Sequence, residues 1–328
     1  MNDVSTLSDK ICYPADLAER LDELTVERLA RAIPKNTRDA YATATESFAV
    51  WCIEHDLPAL PAPEVALTRY VSHLITLGRA PATISQHIGA IRTHHRRAGN
   101  HGQPNTGRAS ELLRGYRRDL AEDGIGQRQA LPITPEALGQ MVATLDLGTV
   151  RGRRDQLALV LGFLGMFRRS ELVRLRAADV TVTAEGVTLL VRTSKTDHES
   201  RGRVVPIPPQ TELSVEPVTL AERWVAQLGR DGHLLRRVTR GDELTGAPWS
   251  AESVNDLVRR TATKANLPSA EKYTAHSLRA GGLTTALRNG VPAGIAARHG
   301  GWDPESPVVA RYARVADVWK DNAMRGVL

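Results

Sequence analysis

Apolar side chains recur at helical spacing from residue 16 to residue 121 of this chain, without the alternation that is typical of strands. Prolines and short polar runs interrupt the spacing and so divide it into separate helices. The sequence therefore predicts a helical first domain over residues 16–121, after a flexible leader over residues 1–15. The predicted helices cover residues 16–33, a stretch from 36 or 37 onward, 64–77, 82–98 and 109–121.

The apolar pattern stops at residues 122–132, where glycine and charged residues predict a linker between two domains. The second domain, 133–328, begins on Thr134 and Pro135, a good N-cap followed by a proline in the first helical turn. Beyond an apolar helix the spacing changes to two, which predicts three short antiparallel strands. They are expected at Val180–Val182, Val187–Arg192 and Arg203–Ile207, with helix again from Pro217 onward. The predicted fold class is mainly α with a small antiparallel β-sheet in the second domain.

The chain is basic, with a net charge of +6 and a pI near 9.6. Some of the basic residues are clustered in three runs: His94–Arg97; Arg114, Arg117 and Arg118; and Arg151, Arg153 and Arg154. A solvated helix face or a helix end is the better interpretation of the third run. Three runs so close together nevertheless favour a polyanionic partner.

Several classes of function receive no support from the sequence. There is no run of about 18 or more apolar residues to cross a membrane, and the first residues lack the pattern of a secretory signal. Cys12 and Cys52 form neither a disulfide framework nor a metal-binding knuckle, which favours buried or idle thiols in a reducing cytoplasm. No phosphate-binding loop, HExxH motif or acidic metal cluster is evident, so no metal, ATP or other cofactor is expected.

The helix predicted over residues 82–98 is expected to have two distinct faces. Its inward face is formed by residues that repeat at helical spacing: Ile84, Ile88, Ile91 and His95. The remaining side chains point outward: Gln86, His87, Arg92, His94 and one or both of Arg96 and Arg97. A polar outward face of this kind is consistent with simple solvation as well as with binding.

Residues 276–312 form the most informative stretch of the chain. His276 and Arg279 stand three residues apart on one predicted helix, so their side chains can converge on one ligand. Trp302 ends a Gly-Gly-Trp turn, and Tyr312 is the last tyrosine of the chain. Each feature is ordinary alone, since HxxR recurs by chance and a lone Trp or Tyr is more often a packing residue. Together they suggest a site that handles phosphodiesters.

Residues elsewhere extend or compete with this set. A guanidinium after a buried helix is costly unless it is paired, so Arg168 is expected to pair with Glu171 at i+3 or to serve a ligand. Arg169 is the competing candidate for the ligand role. Lys195 lies at the tip of the second predicted hairpin, either as plain surface or as a general acid in a cleft. His299 competes with Trp302 as a hydrogen-bond donor.

These residue types together suit phosphoryl transfer. Arginine makes bidentate contacts to phosphate oxygens, and histidine donates a hydrogen bond or moves a proton near neutral pH. The Tyr312 phenol could attack phosphorus and store the bond energy in a covalent phosphotyrosine. Phosphoryl transfer depends on positioning and on neutralising charge, which these side chains supply without a metal.

From about residue 36 to the end, the chain resembles the tyrosine recombinase (phage integrase) family. The resemblance is carried by RRSELVRLRAADV, the HxxR pattern at His276, a Gly-Gly-Trp turn where most relatives have His, and ATISQHIGAIRTHHRRAG in the first domain. It implies that the catalytic residues are Arg168, Glu171, Lys195, His276, Arg279, Trp302 and the nucleophile Tyr312. DNA would contact Gln86 and His87 at bases and Arg96 and Arg97 at phosphates.

The resemblance also implies a C-shaped clamp of both domains around duplex DNA. Four protomers would join two inverted-repeat sites, cleave them through a 3′-phosphotyrosyl intermediate and resolve a Holliday junction. The tail after Tyr312 would dock on a neighbouring protomer or pack on its own domain. Such an enzyme would act on the nucleoid in a bacterial or phage-infected cytoplasm, with an accessory protein as a further candidate partner.

Two departures from the family pattern and two alternatives accompany this prediction. The interval from Trp302 to Tyr312 is one residue longer than in the family, and Glu252 stands where a relative carries a base-reading arginine. The target sequence is therefore expected to differ. A type IB topoisomerase would share the chemistry without a specific site, and an inactive DNA-binding relative would share the binding alone.

Overall fold

The computed structural model describes residues 33–125, 130–192, 202–210, 216–303, 306 and 308–312, together with Asp22, Leu24, Thr25, Arg28 and Leu29. The chain divides into two compact units, Met1–Gln127 and Arg128–Leu328. The predicted leader, most of the first predicted helix and the tip of the second hairpin lie outside the described residues. Within them, no helix combines the length and the apolar character needed to cross a membrane.

The described part of the first unit is helical. Its helices are α1 (Lys35–Glu54), α2 (Glu64–Thr76), α3 (Pro81–Arg97) and α4 (Gly107–Glu122). Proline stands at or just before the start of the first three, where its missing N–H costs no helical hydrogen bond. Their apolar faces meet in one core that includes Trp51, Leu67 and Ile84. The bounds differ from the predicted ones by a residue or two.

The inward face of α3 is the predicted one. Ile84, Ile91 and His95 are buried and Ile88 is partly buried. Both ring nitrogens of His95 are bonded: Nε2 accepts from the Ala62 N–H at 2.9 Å, and Nδ1 donates to the Ile91 carbonyl at 2.8 Å. This pairing requires the neutral imidazole, and burial lowers the pKa of His95 in the same sense.

The second unit combines helices with two small antiparallel sheets. Its described helices are α5 (Pro135–Ala143), α6 (Val150–Leu164), α7 (Arg169–Arg174), α8 (Pro217–Leu228), α9 (Ala251–Lys264), α10 (Ala275–Arg288) and α11 (Ala293–Gly300), and residues 308–312 are also helical. Strands β1 (Val180–Thr183), β2 (Gly186–Val191) and β3 (Arg203–Ile207) form the first sheet in that order, with Leu189 paired to both Val180 and Val205. The predicted fold class is confirmed.

The second sheet corrects the expectation of helix from Pro217 onward. It pairs β4 (Arg236–Val238) with β5 (Leu244–Pro248). These strands are short and largely exposed, so their sequence shows no alternation. The sheet has a structural use, because the Asp242 carboxylate in its turn accepts from the N–H groups of Val150 and Arg151 at 2.7 and 2.9 Å. It thereby satisfies two free N–H groups at the start of α6.

Helix α6 is buried on nearly every side and runs through the centre of the second core. Helix α10 packs against it across a glycine pair. A Cβ at Gly281 would overlap the Ile133 carbonyl oxygen, and a Cβ at Gly282 would overlap the Phe163 carbonyl oxygen. The pair therefore permits close backbone packing.

The third basic run is not a solvated helix face. Arg154 is only 4% exposed, lies 4.1 Å from the centre of the Trp249 ring and pairs with Asp155 Oδ1 at 2.6 Å. Arg260 holds the other carboxylate oxygen at 2.7 Å. Removing one partner of such a network would leave a buried charge unpaired, so Arg154 belongs to the fold. The helix-end interpretation holds only for the first two arginines of the run.

Candidate active site

Helix α10 places Arg279 in the interior and leaves His276 exposed. Arg279 is 1% exposed, and its Nη1 donates to the carbonyl oxygens of Met166 and Gly300, the latter at 2.7 Å. Its guanidinium carbon lies 3.5 Å from the centre of the Trp302 ring, close enough for a cation–π contact. Arg279 Nη2 is buried and has no hydrogen-bond partner among the described residues. A bound anion would satisfy that donor.

The turn between α6 and α7 supplies one of these carbonyl groups. Met166 has a φ of 48°, which is uncommon for a residue that carries a side chain. Backbone held in this region costs free energy and persists only where its surroundings enforce it. Here the bond from Arg279 is one such constraint.

Arg168 and Glu171 form the ion pair that their spacing suggests. Arg168 Nη1 lies 2.6 Å from Glu171 Oε1, and its backbone N–H donates to Oε2 at 3.0 Å. Arg168 Nη2 also donates to the Gly301 carbonyl oxygen at 3.3 Å. Arg169 instead pairs at 2.6 Å with Glu252 on the exposed surface. Of the two candidate arginines, the structure brings Arg168 to the site.

The end of α11 joins three arginines at one turn, which we call the carbonyl turn (residues 299–301). Its consecutive carbonyl oxygens accept, in order, from Arg203 Nη1, Arg279 Nη1 and Arg168 Nη2. Helical carbonyl groups at this end carry partial negative charge, so three cations stabilise it. Gly301 closes the helix with a φ of 70°. A Cβ at Gly300 would overlap the Trp302 ring, so this glycine allows the indole to fold back.

His299 and Trp302, the two candidates for the hydrogen-bond donor, have different surroundings in the structure. His299 Nε2 lies 2.8 Å from the carbonyl oxygen of Leu164, at the end of α6. Its imidazole is therefore used within the fold, and burial lowers the pKa of His299. Trp302 stacks on Arg279 and packs against the cluster that contains Tyr312. The geometry favours Trp302.

Tyr312 lies at the end of the helical residues 308–312 and is 8% exposed. It is buried with Met166, which lies in the turn between α6 and α7, and with Leu283 and other apolar residues of α10 and α11. Burial raises the pKa of the Tyr312 phenol, while the positive charge of Arg279 opposes that shift. The pKa of Arg279 itself is lowered to about 9 by burial and by Arg168, which leaves it charged at neutral pH.

His276 combines an exposed position with a perturbed acidity. Its pKa is lowered by desolvation and by the charges of Arg279 and Arg168. The imidazole is therefore mostly neutral near pH 7, the form that can accept a proton.

The other predicted site residues lie on α3 or outside the described residues. Gln86 and Arg96 are exposed and Arg97 is half-buried, while His87 Nδ1 is 3.0 Å from the Tyr70 hydroxyl. Burial lowers the pKa of His87. They belong to the first unit, and the catalytic candidates belong to the second. Lys195 lies outside the described residues.

Arg203 is the residue that the sequence analysis misses. Its Nη2 lies 3.3 Å from Glu171 Oε2, and its Nη1 donates to the His299 carbonyl. A signal was present in β3, because Arg203 shares the alternation of the buried Val205 and Ile207. A cation on the inward face of a strand requires a partner.

Comparison with known proteins decides the family. A model described as the phage integrase family matches residues 133–318, more than half of the chain. Over 308 residues the chain is 31% identical to an integrase/recombinase XerD homolog of Selenomonas ruminantium, covering 93% of this chain and 89% of the relative. The chain belongs to the phage integrase family. This recombinase is also 25% identical over 306 residues to the recombinase Cre of Escherichia phage P1, covering 88% and 86% of the two chains.

Solved structures share the fold of this recombinase. Lambda integrase residues 75–356 bound to DNA give a TM-score of 0.59 at 15% identity, over 98% of this chain and 99% of that chain. A lambda integrase tetramer bound to a Holliday junction gives 0.57 at 17% identity, over 87% and 74%. The chain is thus an enzyme of the tyrosine site-specific recombinase class, with the fold of lambda integrase.

Proposed function

We propose that this recombinase cleaves and rejoins duplex DNA at a specific site through a 3′-phosphotyrosine on Tyr312. The observation that carries the proposal is the meeting of Arg168, Arg279 and Trp302 at the carbonyl turn, beside the cluster that buries Tyr312. A phosphate there would pair with the unpartnered Nη2 of Arg279. The site would gather positive charge around one anion.

In the first step the Tyr312 oxygen attacks phosphorus, and the bond from phosphorus to the 5′-oxygen breaks. The phenol loses its proton, for which we propose the neutral imidazole of His276 as the acceptor. The leaving 5′-oxygen gains a proton, for which we propose Lys195 as the donor. In the second step a 5′-hydroxyl attacks the phosphotyrosine, which restores a phosphodiester and releases the phenol. Because the covalent intermediate retains the phosphoester bond, rejoining needs no ATP.

The remaining residues have complementary proposed roles. Arg168 and Arg279 neutralise the non-bridging oxygens, and the Trp302 indole N–H donates to one of them. His276 holds or moves a proton at the same phosphate. Glu171 orients Arg168 through the 2.6 Å ion pair.

At the level of the assembly, we propose that four protomers act on two inverted-repeat sites through a Holliday junction. The shared fold with a lambda integrase tetramer on such a junction supports this proposal. Residues 16–121 would serve mainly in DNA binding and residues 133–328 in catalysis, with both on the DNA as a clamp. Gln86, His87, Arg96 and Arg97 are the proposed contacts of α3.

The test is covalent trapping of DNA by the purified protein. A library of nicked duplexes, including DNA that flanks the native gene, is mixed with the wild type or with Tyr312→Phe and quenched in denaturant. We expect an adduct at a 3′-phosphate that forms on a defined sequence and only with Tyr312. Adducts spread evenly over all sequences would indicate a relaxing topoisomerase. Tight, salt-sensitive binding with no adduct, even after addition of a lysate from the source cells, would indicate an inactive DNA-binding relative.

A further inference from the structure

Arg203 occupies a position in the second unit that its exposed neighbours on β3 do not share. Arg203 is the first residue of β3, and its guanidinium is mostly buried, with 15% of the side chain exposed. Nη2 faces Glu171 Oε2 at 3.3 Å, while Nη1 donates to the His299 carbonyl. One side chain therefore bridges the acidic partner of Arg168 and the carbonyl turn.

The surroundings of Arg203 leave little room for another arrangement. A Cβ at Gly301 would lie 2.8 Å from Arg203 Nε, so the glycine makes space for the guanidinium. Arg203 Nε is buried and has no hydrogen-bond partner among the described residues. Burial lowers the pKa of Arg203, and the Glu171 carboxylate opposes that shift. Desolvation of this buried cation therefore costs free energy.

Both carboxylate oxygens of Glu171 have arginine partners, and Oε2 also accepts from the backbone N–H of Arg168 at 3.0 Å. Oε1 accepts from Arg168 Nη1 at 2.6 Å, and Oε2 faces Arg203 Nη2 at 3.3 Å. Without Arg203, one carboxylate oxygen would lose a charged partner and the His299 carbonyl would lose its bond. Both losses affect the groups that set the position of Arg168, because Arg168 is bonded to Glu171 and to Gly301.

We propose that Arg203 is a positioning residue of the active site, which fixes Glu171 and the carbonyl turn to β3. Through them it sets the geometry of Arg168 and Trp302 without touching the DNA itself. The catalytic part of this inference rests on the proposed function, whereas its structural part does not.

The structural part is tested on the protein without DNA. Hydrogen–deuterium exchange is compared for the wild type, Arg203→Met, Arg203→Lys and the control Arg237→Met, whose arginine is exposed on β4. The amides of Gly301 and Trp302 bond to the carbonyls of Arg298 and Ala297. We expect faster exchange at these amides in Arg203→Met, with α5 unchanged, and no effect in the control.

The catalytic part is tested by single-turnover adduct formation on the DNA trapped by the wild type. At saturating DNA, Arg203→Met is expected to slow cleavage by about 10²-fold, the scale of a small misplacement of reacting groups. The dissociation constant for DNA should stay near the wild-type value. Arg203→Lys keeps the charge but lacks the planar fork that spans two partners, so it should restore the rate only in part.

The outcomes separate this inference from the proposed function. Unchanged exchange at the carbonyl turn in both variants would overturn the inference, whatever happens on DNA. Wild-type cleavage rates in folded Arg203 variants would also overturn the inference. If these variants differ from the wild type only in a lower melting temperature, Arg203 has a purely structural role. If the wild type forms no adduct, the proposed function fails, and the exchange experiment still decides whether Arg203 holds the turn. If Arg203→Met does not fold, Arg203→Lys supplies both measurements.

Discussion

Arg168, Arg203 and Arg279 lie around Glu171, so the second unit holds an excess of positive charge at one point. Part of that charge is balanced by the carbonyl turn, whose three oxygens each accept from one arginine. Backbone carbonyls carry only partial charges, so they stabilise the cations without neutralising them. A phosphate diester would supply the missing negative charge.

The lowered pKa of His276 predicts the pH dependence of cleavage. Although His276 is exposed at the surface, desolvation of its imidazole by the surrounding protein and the charges of Arg279 and Arg168 all disfavour the imidazolium. The pKa of His276 should therefore lie below its ordinary value of 6.5. The unfolded chain would bind that proton at a higher pH than the folded protein. His276 therefore lowers the free energy of unfolding as pH falls below 6.5. We expect the single-turnover cleavage rate to be flat above that value and to fall below it.

The measurement is the rate of adduct formation across this pH range for the wild type and His276→Gln. The variant should be slower and should lose the acidic limb of the profile. An identical acidic limb in His276→Gln would assign the titration to another group.

Arg168, which precedes α7, and Arg169, its first residue, offer a matched comparison. Arg168→Lys should reduce the cleavage rate by about 10²–10³-fold, the cost of removing one preorganised donor to a developing charge. Lysine keeps the charge but loses the bidentate geometry. Arg169→Lys should cleave at close to the wild-type rate, since its exposed pair with Glu252 is worth about 1 kcal/mol or less. A larger loss of cleavage rate in Arg169→Lys than in Arg168→Lys would assign the active-site role to Arg169 instead of Arg168.

At the scale of elements, the position of Arg279 depends on how closely α10 approaches α6. Gly282 faces the Phe163 carbonyl, where a side chain has no room. We expect Gly282→Ala to destabilise the protein by about 1–3 kcal/mol, as overpacking does in a dense core. Gly139 lies in α5 with open space around it, so Gly139→Ala should stabilise by about 0.5–1 kcal/mol.

Urea denaturation of these two variants is the measurement. Equal effects of the same sign would contradict a specific contact at Gly282. A destabilised but active Gly282→Ala protein would show that the helix can shift without moving Arg279.

The elements also show what the sequence can and cannot predict. Helices such as α2 and α3, and strands β1 to β3, follow from local spacing, so they are predicted nearly as they occur. The sheet of β4 and β5 is missed because its pairing depends on tertiary contacts rather than on alternation.

The candidate site shows the same division. His276 and Arg279 share a helix by spacing, and Arg168 and Glu171 are neighbours by spacing. The carbonyl turn, its contact with Arg203 and the separation of His299 from Trp302 come from packing between distant segments. No local pattern encodes those contacts.

At the scale of the whole molecule, the net charge of +6 predicts binding dominated by phosphate contacts. Affinity for duplex DNA should fall steeply with salt. Arg96→Gln should weaken binding to specific and scrambled duplexes alike and reduce the salt slope by about one. Gln86→Ala should leave the slope unchanged and alter the preference between the two duplexes.

Fluorescence anisotropy at several salt concentrations, on the trapped sequence and on a scrambled one, measures both effects. A flat salt response would contradict phosphate-dominated binding. A change of sequence preference in Arg96→Gln would contradict the assignment of that residue to the DNA backbone.

The proposed role of Tyr312 as the nucleophile is tested most directly by identifying the residue that becomes linked to DNA. The adduct is digested with nuclease and protease, and the peptide that retains a nucleotide is sequenced by mass spectrometry. We predict one modified peptide, in which Tyr312 is joined to a nucleotide through the nucleotide's 3′-phosphate. This peptide should be absent from the digest of the Arg168→Lys reaction at the same reaction time. A nucleotide attached to any other residue, or a 5′-phosphate linkage, would contradict this account.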